Sequence, residues 1–414
     1  MSVPVAFFLT APLALVAGGS ALCWLGAGLL MSHTFPATAA ATHLGSLGLL
    51  AVVMIGALYQ MVPVVAGARV PWVRSGHLVH GLLVVGLALF VAGLSRAERP
   101  LLWGATALLA AAVVLFLIPV ALSLTRAPSR TDTVQGMKLS LLGFAAVSAL
   151  GLWLLASHAN ALPPSTRLRW IPIHVTLGLV VWVGGLLVSV SWEVLPMFYL
   201  APPVYPEIRR RTLWALAVTG VAVPVMIACG LPAWVLAAAP GTLAVWFVHP
   251  LASFVTLARR RRSQSDPSLR FWRTGLTLAP LVLLAAIAAV WFSDPRLPLL
   301  FGWLAIWGWA GIILHGMLTR IVPFLIWFHR FAPLAGRVPI PSMRRLLPEP
   351  IANTGYVLHL TALVAGMLAI GFRSDALARL TGVALAATGA ALAVSLIVPL
   401  RHPVPEAPSN ALET

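Results

Sequence analysis

Charge is what this sequence has least of. Of its 414 residues only 9% are Asp, Glu, Lys or Arg, while 60% are hydrophobic. A soluble domain carries roughly a quarter charged residues. So few charges cannot cover a surface that faces water, and lipid must cover most of this one. Acidic residues are the scarcest, 10 against 27 Lys and Arg, which leaves a net charge of +17. Cysteine is nearly missing. Cys23 and Cys229 each sit in an apolar run, in no CxxC or other metal spacing. They read as packing residues, which excludes a disulfide framework and a cysteine-based zinc site. A basic leader is also lacking. The chain is apolar from Val3 onward, so its start reads as a first spanning helix and not as a cleaved signal.

What fills the chain is a series of apolar runs of 18 residues or more, each long enough to cross a hydrocarbon core ~30 Å thick. The expected fold is all-α and polytopic, with about twelve transmembrane helices. The spans fall near 5–32, 41–66, 76–94, 100–124, 135–157, 170–199, 211–230, 232–256, 271–292, 298–328, 352–372 and 376–400. Spans seven and eight are divided only by Gly230-Leu231-Pro232. No soluble domain fits between any two spans. Residues 1–400 form one transmembrane domain, and 401–414 read as a loose polar tail. Twenty of the 27 basic residues, including Arg69, Arg74, Arg209 and the run 259–262, fall on one side of this topology. Seven fall on the other: Arg96, Arg99, Arg167, Arg169, Arg296, Arg373 and Arg379. The positive-inside rule then places both termini in the cytoplasm of a bacterial-type inner membrane. Topology and anionic lipid headgroups account for the basic charge, so the bilayer is the expected partner and nucleic acid is not needed.

Three spans end in related sequence: Tyr59-Gln60-Met61-Val62-Pro63, Trp192-Glu193-Val194-Leu195-Pro196 and Thr319-Arg320-Ile321-Val322-Pro323. The prolines are 133 and 127 residues apart, four spans each time. This predicts three four-helix units, roughly 1–130, 131–262 and 263–400, around a pseudo-threefold axis; repeats are a common way to build membrane folds. Gln60, Glu193 and Arg320 then share one slot, three residues before each proline. Glu193 is the only carboxylate expected inside a span, and an ionised group in hydrocarbon is normally paired or functional. The adopted reading is a polar cluster in which Glu193 and Arg320 clamp spans six and ten. The other reading is a proton or substrate path.

Histidine is a frequent holder of haem or copper in a membrane bundle, and there are 11 here. His43 and His174 open spans two and six, at similar depth on the expected periplasmic side. Both lie about 100° around the helix from the polar slot of their own span, with opposite sign, at ~100° per residue. Two neighbouring helices can thus turn them toward a shared gap. The ordinary reading of each is an interhelical hydrogen bond. His315 and His329 are secondary metal candidates.

The segment from His43 to Gly67, ending Tyr-Gln-Met-Val-Pro63-Val-Val-Ala-Gly, resembles helix two of haem–copper oxidase subunit I. In that family a histidine at the helix start binds low-spin haem, and a hydrophobic-Pro-hydrophobic turn ends the helix. Twelve spans and threefold pseudo-symmetry agree with it, as with the divergent NnrS family of haem- and copper-containing membrane proteins. The run His315 to His329 resembles uncharacterised oxidase-like membrane proteins. The resemblance implies haem b, or copper, on His43 and His174, with Arg167, Arg169 and Arg373 near the propionates. It implies a role in respiratory electron transfer, nitric oxide handling or oxidase assembly, with a cytochrome or oxidase subunit as partner. The departures are specific. Leu300 to Trp309 carries no histidine where oxidases have a His-x-His pair, and Arg211 to Gly230 carries none where they bind copper. Oxygen or nitric oxide reduction of the standard type is therefore not expected. The alternative is a carrier or channel for a small solute, metal or haem.

The topology is directly testable. Reporter fusions after Arg262 and after Ala407 should both read cytoplasmic; a periplasmic signal at either overturns the assignment.

Overall fold

The computed structural model describes residues 2–231, 239–261 and 266–404. The expected start of span eight at 232–238, Arg262 and the tail beyond 404 lie outside them. All regular structure among the described residues is helical. Twelve helices are long and apolar enough to cross a bilayer: α1 (Val3–Leu30), α2 (Pro36–Ala66), α3 (Val73–Arg96), α4 (Arg99–Thr125), α5 (Asp132–Ala159), α6 (Pro164–Tyr199), α7 (Pro206–Ala228), α8 (Pro240–Ala258), α9 (Pro267–Trp291), α10 (Arg296–Leu334), α11 (Glu349–Phe372) and α12 (Asp375–Leu400).

The starts follow local chemistry. Pro36, Pro206, Pro240 and Pro267 each open a helix, where a missing N–H costs nothing. Thr131, Asp266 and Ser374 cap α5, α9 and α12 by accepting from Val134, Leu269 and Leu377 backbone N–H groups. Pro240 opens the described part of α8, with extended Ala239 before it making a natural first turn. Between α9 and α10, the Arg296 side chain and backbone N–H hold the Asp294 carboxyl down to about 2. The same arginine donates to the Gly371 carbonyl at 2.9 Å and so ties this turn to the end of α11.

Helices adjacent in sequence pack together, and α12 closes against α1. That closing contact runs backbone to backbone. A Cβ on Gly19 would stand 2.5 Å from the Gly382 carbonyl oxygen, and one on Gly382 would stand 2.5 Å from the Gly19 oxygen. Small residues let membrane helices approach this closely, where van der Waals packing is the main source of cohesion.

The spanning windows of α6, α2, α10 and α1 are 78%, 67%, 61% and 61% buried, against 28% for α7 and 33% for α3, α5 and α9. The inner helices α2, α6 and α10 share a break in their regular winding. Each contains a π-helical stretch: Leu44–Ala51, Thr176–Gly184 and Leu304–Gly311. Their first residues are 132 and 128 positions apart, within a residue of the proline spacings. The π stretch of α10 touches those of both α2 and α6. A π turn inserts an extra residue, widens the helix and shifts the side chains beyond it, and it recurs at functional sites.

The closing seam predicts unequal glycines. Gly382→Val should lower stability by ~1–3 kcal/mol through overpacking against backbone that cannot yield. Gly371→Ala, with nothing within 4 Å of the added carbon, should leave the unfolding temperature in detergent unchanged.

Candidate functional site

His43 is the last residue before the π stretch of α2, and His174 lies two residues before that of α6. The widened turns set both rings on the inner side of the bundle. The ring centres are 6.1 Å apart and the planes are inclined by 34°. The two histidines that the sequence turned toward one gap do meet.

The protonation of the His43 ring follows from its neighbours. Its Nδ1 lies 2.7 Å from the Ala39 carbonyl, which can only accept, so Nδ1 carries the proton and Nε2 presents its lone pair. His174 Nδ1 is buried and has no hydrogen-bond partner. Phe90 packs on His43 at 4.8 Å between ring centres. Gly151 makes room for His174, since a Cβ there would come within 2.9 Å of its Cε1. The corresponding position on α10, just before Leu304, is Trp303. Its indole N–H donates to the Leu363 carbonyl at 3.0 Å. Of the arginines expected near this end, Arg169 donates to the Ala228 carbonyl and rests 5.8 Å from the Trp170 ring centre, which links α6 to α7.

The polar slot needs a correction. Glu193 and Arg320 do not clamp each other. Glu193 Oε1 accepts from Thr133 Oγ1 at 2.9 Å, and Arg320 Nη1 lies 3.3 Å from Asp266 Oδ2. Arg320 also rests 5.4 Å from the Phe198 ring centre. Each slot residue thus reaches outward to the beginning of the preceding helix, α5 or α9. Helix beginnings gather carboxylate and hydroxyl caps, because their backbone N–H groups lack partners. Asp266 is such a cap and is only 7% exposed at its side chain. Sequence reasoning left it in a loop and so gave Arg320 to the wrong carboxylate. The signal that could have found it was Asp-Pro at a helix start. Gln60 is half-buried in the equivalent place on α2.

The secondary pair divides. His329 is exposed at the end of α10, with its ring on Phe328. His315 is buried, but its partner is His359 of α11, which sequence reasoning did not single out. Their Nδ1 atoms are 3.2 Å apart. His359 Nε2 lies 3.0 Å from the Trp307 carbonyl, so that nitrogen is the donor and His359 Nδ1 is the acceptor. His315 Nδ1–H then donates to it, and His315 Nε2 is left buried without a partner. His359 also stacks on Trp307 at 3.7 Å and 2°. This is an interhelical tie of α10 to α11. Among the described residues no group of three or more His, Cys, Asp or Glu side chains is placed to hold a metal ion.

Beyond the π stretches, α2, α6 and α10 line a half-open cavity of ≈ 80 Å³. Val53, Met54, Leu187, Val190, Ile313 and Met317 line it, with Ser191 as a polar member. Trp272 of α9 closes one wall and donates to Met317 Sδ at 3.0 Å.

Fold and composition together define a multi-pass α-helical membrane protein. No protein-family model matches the sequence, nor does any of the curated proteins.

The corrected pairing has a measurable consequence. Asp266→Asn or Arg320→Gln should each cost ~3–5 kcal/mol, because each breaks a poorly exposed ion pair. A double-mutant cycle on Asp266 and Arg320 should show coupling, whereas a cycle on Glu193 and Arg320 should be additive within ~0.5 kcal/mol. Coupling in the second cycle and none in the first would restore the clamp.

Proposed function

We propose that this chain is a metal-binding integral membrane protein built like haem–copper oxidase subunit I, from three four-helix units about a pseudo-threefold axis. His43 and His174 hold its metal, haem b iron or copper. It lacks the standard haem–copper catalytic centre. Its role lies in respiratory electron transfer, nitric oxide handling or oxidase assembly, in a bacterial-type inner membrane with both termini cytoplasmic. A cytochrome or oxidase subunit is the expected partner.

The observation that carries this reading is the meeting of His43 and His174, 6.1 Å between ring centres, each with one nitrogen left bare. Imidazole in that form is a ligand for iron and copper, and a carbonyl on the other nitrogen fixes the ring and raises its basicity. Ala39 supplies that carbonyl for His43. The recurrence of the π stretches and the shared cavity support the threefold arrangement. The donor pair fits either metal. The walls favour an ion over a macrocycle: Phe90 lies against His43, and Ile306 against Gly45. A porphyrin enters only if these contacts open. Either metal would supply one-electron chemistry, and the chain's own residues would hold the rings and keep water away.

The carrier reading draws on a different observation. A second, polar pocket lined by Asp266, Ser268, Thr319, Arg320, Arg344 and Glu349 adjoins the same stretch of α10 as the central cavity. Absorbance and metal analysis of protein from haem- and copper-replete cells separate the two. The expected result is a Soret band or bound copper in wild type, lost in His43→Ala. Wild type free of both favours the carrier. Oxygen or nitric oxide consumption at the rate of a true oxidase refutes the missing-centre reading.

A further inference from the structure

We propose that His43 and His174 form a near-linear, two-nitrogen site for a monovalent soft cation, copper(I). This rests on the reading of the two histidines as metal ligands and commits it to one ion, one oxidation state and one coordination number.

The spacing comes first. A metal–imidazole bond of about 2.0 Å, plus a ring radius of a little over 1 Å on each side, puts two trans rings roughly 6.3 Å apart. The same two rings at a tetrahedral angle would stand roughly 5 Å apart. The observed 6.1 Å matches the spacing of the open, nearly linear arrangement and exceeds that of the tetrahedral one.

The donors come next. His43 offers Nε2, since its Nδ1 proton is committed to the Ala39 carbonyl at 2.7 Å. His174 offers Nδ1, which is buried and unpartnered. A buried acceptor without a partner is costly, and a bound cation would relieve it. The His43 lone pair is available without removing a proton, and His174 Nδ1 has no hydrogen bond to give up. That distinguishes this pair from His315 and His359, whose facing nitrogens already share a hydrogen bond at 3.2 Å.

The choice of ion follows from what is missing around the pair. Among the described residues no third His, Cys, Asp or Glu joins it. Zinc requires four ligands and copper(II) prefers a tetragonal set, so two neutral nitrogens satisfy neither. A filled-shell monovalent ion such as copper(I) is content with two donors in line. Charge points the same way. The cost of burying an ion rises with the square of its charge, and no anionic side chain shares this site to offset a second unit. Both residues keep partial exposure, which gives an ion a way in.

The test uses the full-length protein in detergent under anaerobic reduction. Copper(I) is added, challenged with a copper(I)-selective chelator, and the retained metal is counted; zinc(II) is run in parallel. Wild type should retain one copper(I) per chain and no zinc, and X-ray absorption should give two nitrogen donors. His43→Ala and His174→Ala should each lose the copper. His43→Met should keep it, because a thioether is a soft donor for copper(I). If the alanine variants do not fold, the donor count in wild type decides alone. Equal retention of zinc, four donors, or copper kept in both alanine variants overturns the proposal. A Soret band that depends on His43, without copper retention, overturns the copper(I) site and leaves the proposed function standing. Neither haem nor copper on wild type overturns both.

Discussion

A bilayer core holds no water, so every polar group on these helices must find its partner inside the protein. Hydroxyls along the inner walls turn back on their own helices. Ser140 donates to the Gly136 carbonyl at 2.8 Å, and Ser189 does the same to Gly185 at 2.6 Å. Histidines reach across to neighbouring helices: His80 to Thr10 at 3.0 Å and His249 to Ser191 at 3.0 Å. Against that background, the three long π stretches stand out from the five-residue ones at Val62–Ala66, Ala244–Val248 and Trp327–Phe331. Each relaxes the regular ladder at a place where solvent cannot make good the loss. They are tolerated because they sit where α2, α6 and α10 shelter one another, and they are what swings His43 and His174 onto common ground.

Hydropathy made the twelve spans readable, because the same dryness that shapes the bundle writes long apolar runs into the chain. Pro63, Pro196 and Pro323 are spaced along the chain, and the π stretches of α2, α6 and α10 recur on nearly the same interval. The π stretches themselves left no trace in the sequence. One extra residue in a uniformly apolar run changes neither composition nor any visible period. The partner of Arg320 was hidden for another reason. Asp266 is 54 positions earlier and becomes an intramembrane neighbour only because its role as a cap brings it to the end of α9. His359 was likewise invisible, since nothing in the order of residues says that α11 lays it on Trp307.

The candidate site shows how a repeated frame acquires a unique feature. Two of the inner helices carry histidine just before the wide turn, and the third carries Trp303, whose N–H is turned away to the Leu363 carbonyl. The three inner helices are alike in their winding and differ in the side chain that precedes it.

The glycine seam between α1 and α12 bears on how the protein is made. Leu30 ends the first of these helices and Asp375 begins the other. At ~5–20 residues per second, synthesis of the chain between them takes on the order of tens of seconds. Throughout that interval the grooved side of α1 around Gly19 is without its mate and open to lipid or to a stray helix. Closure of the seam therefore waits until the last of the described helices has been made.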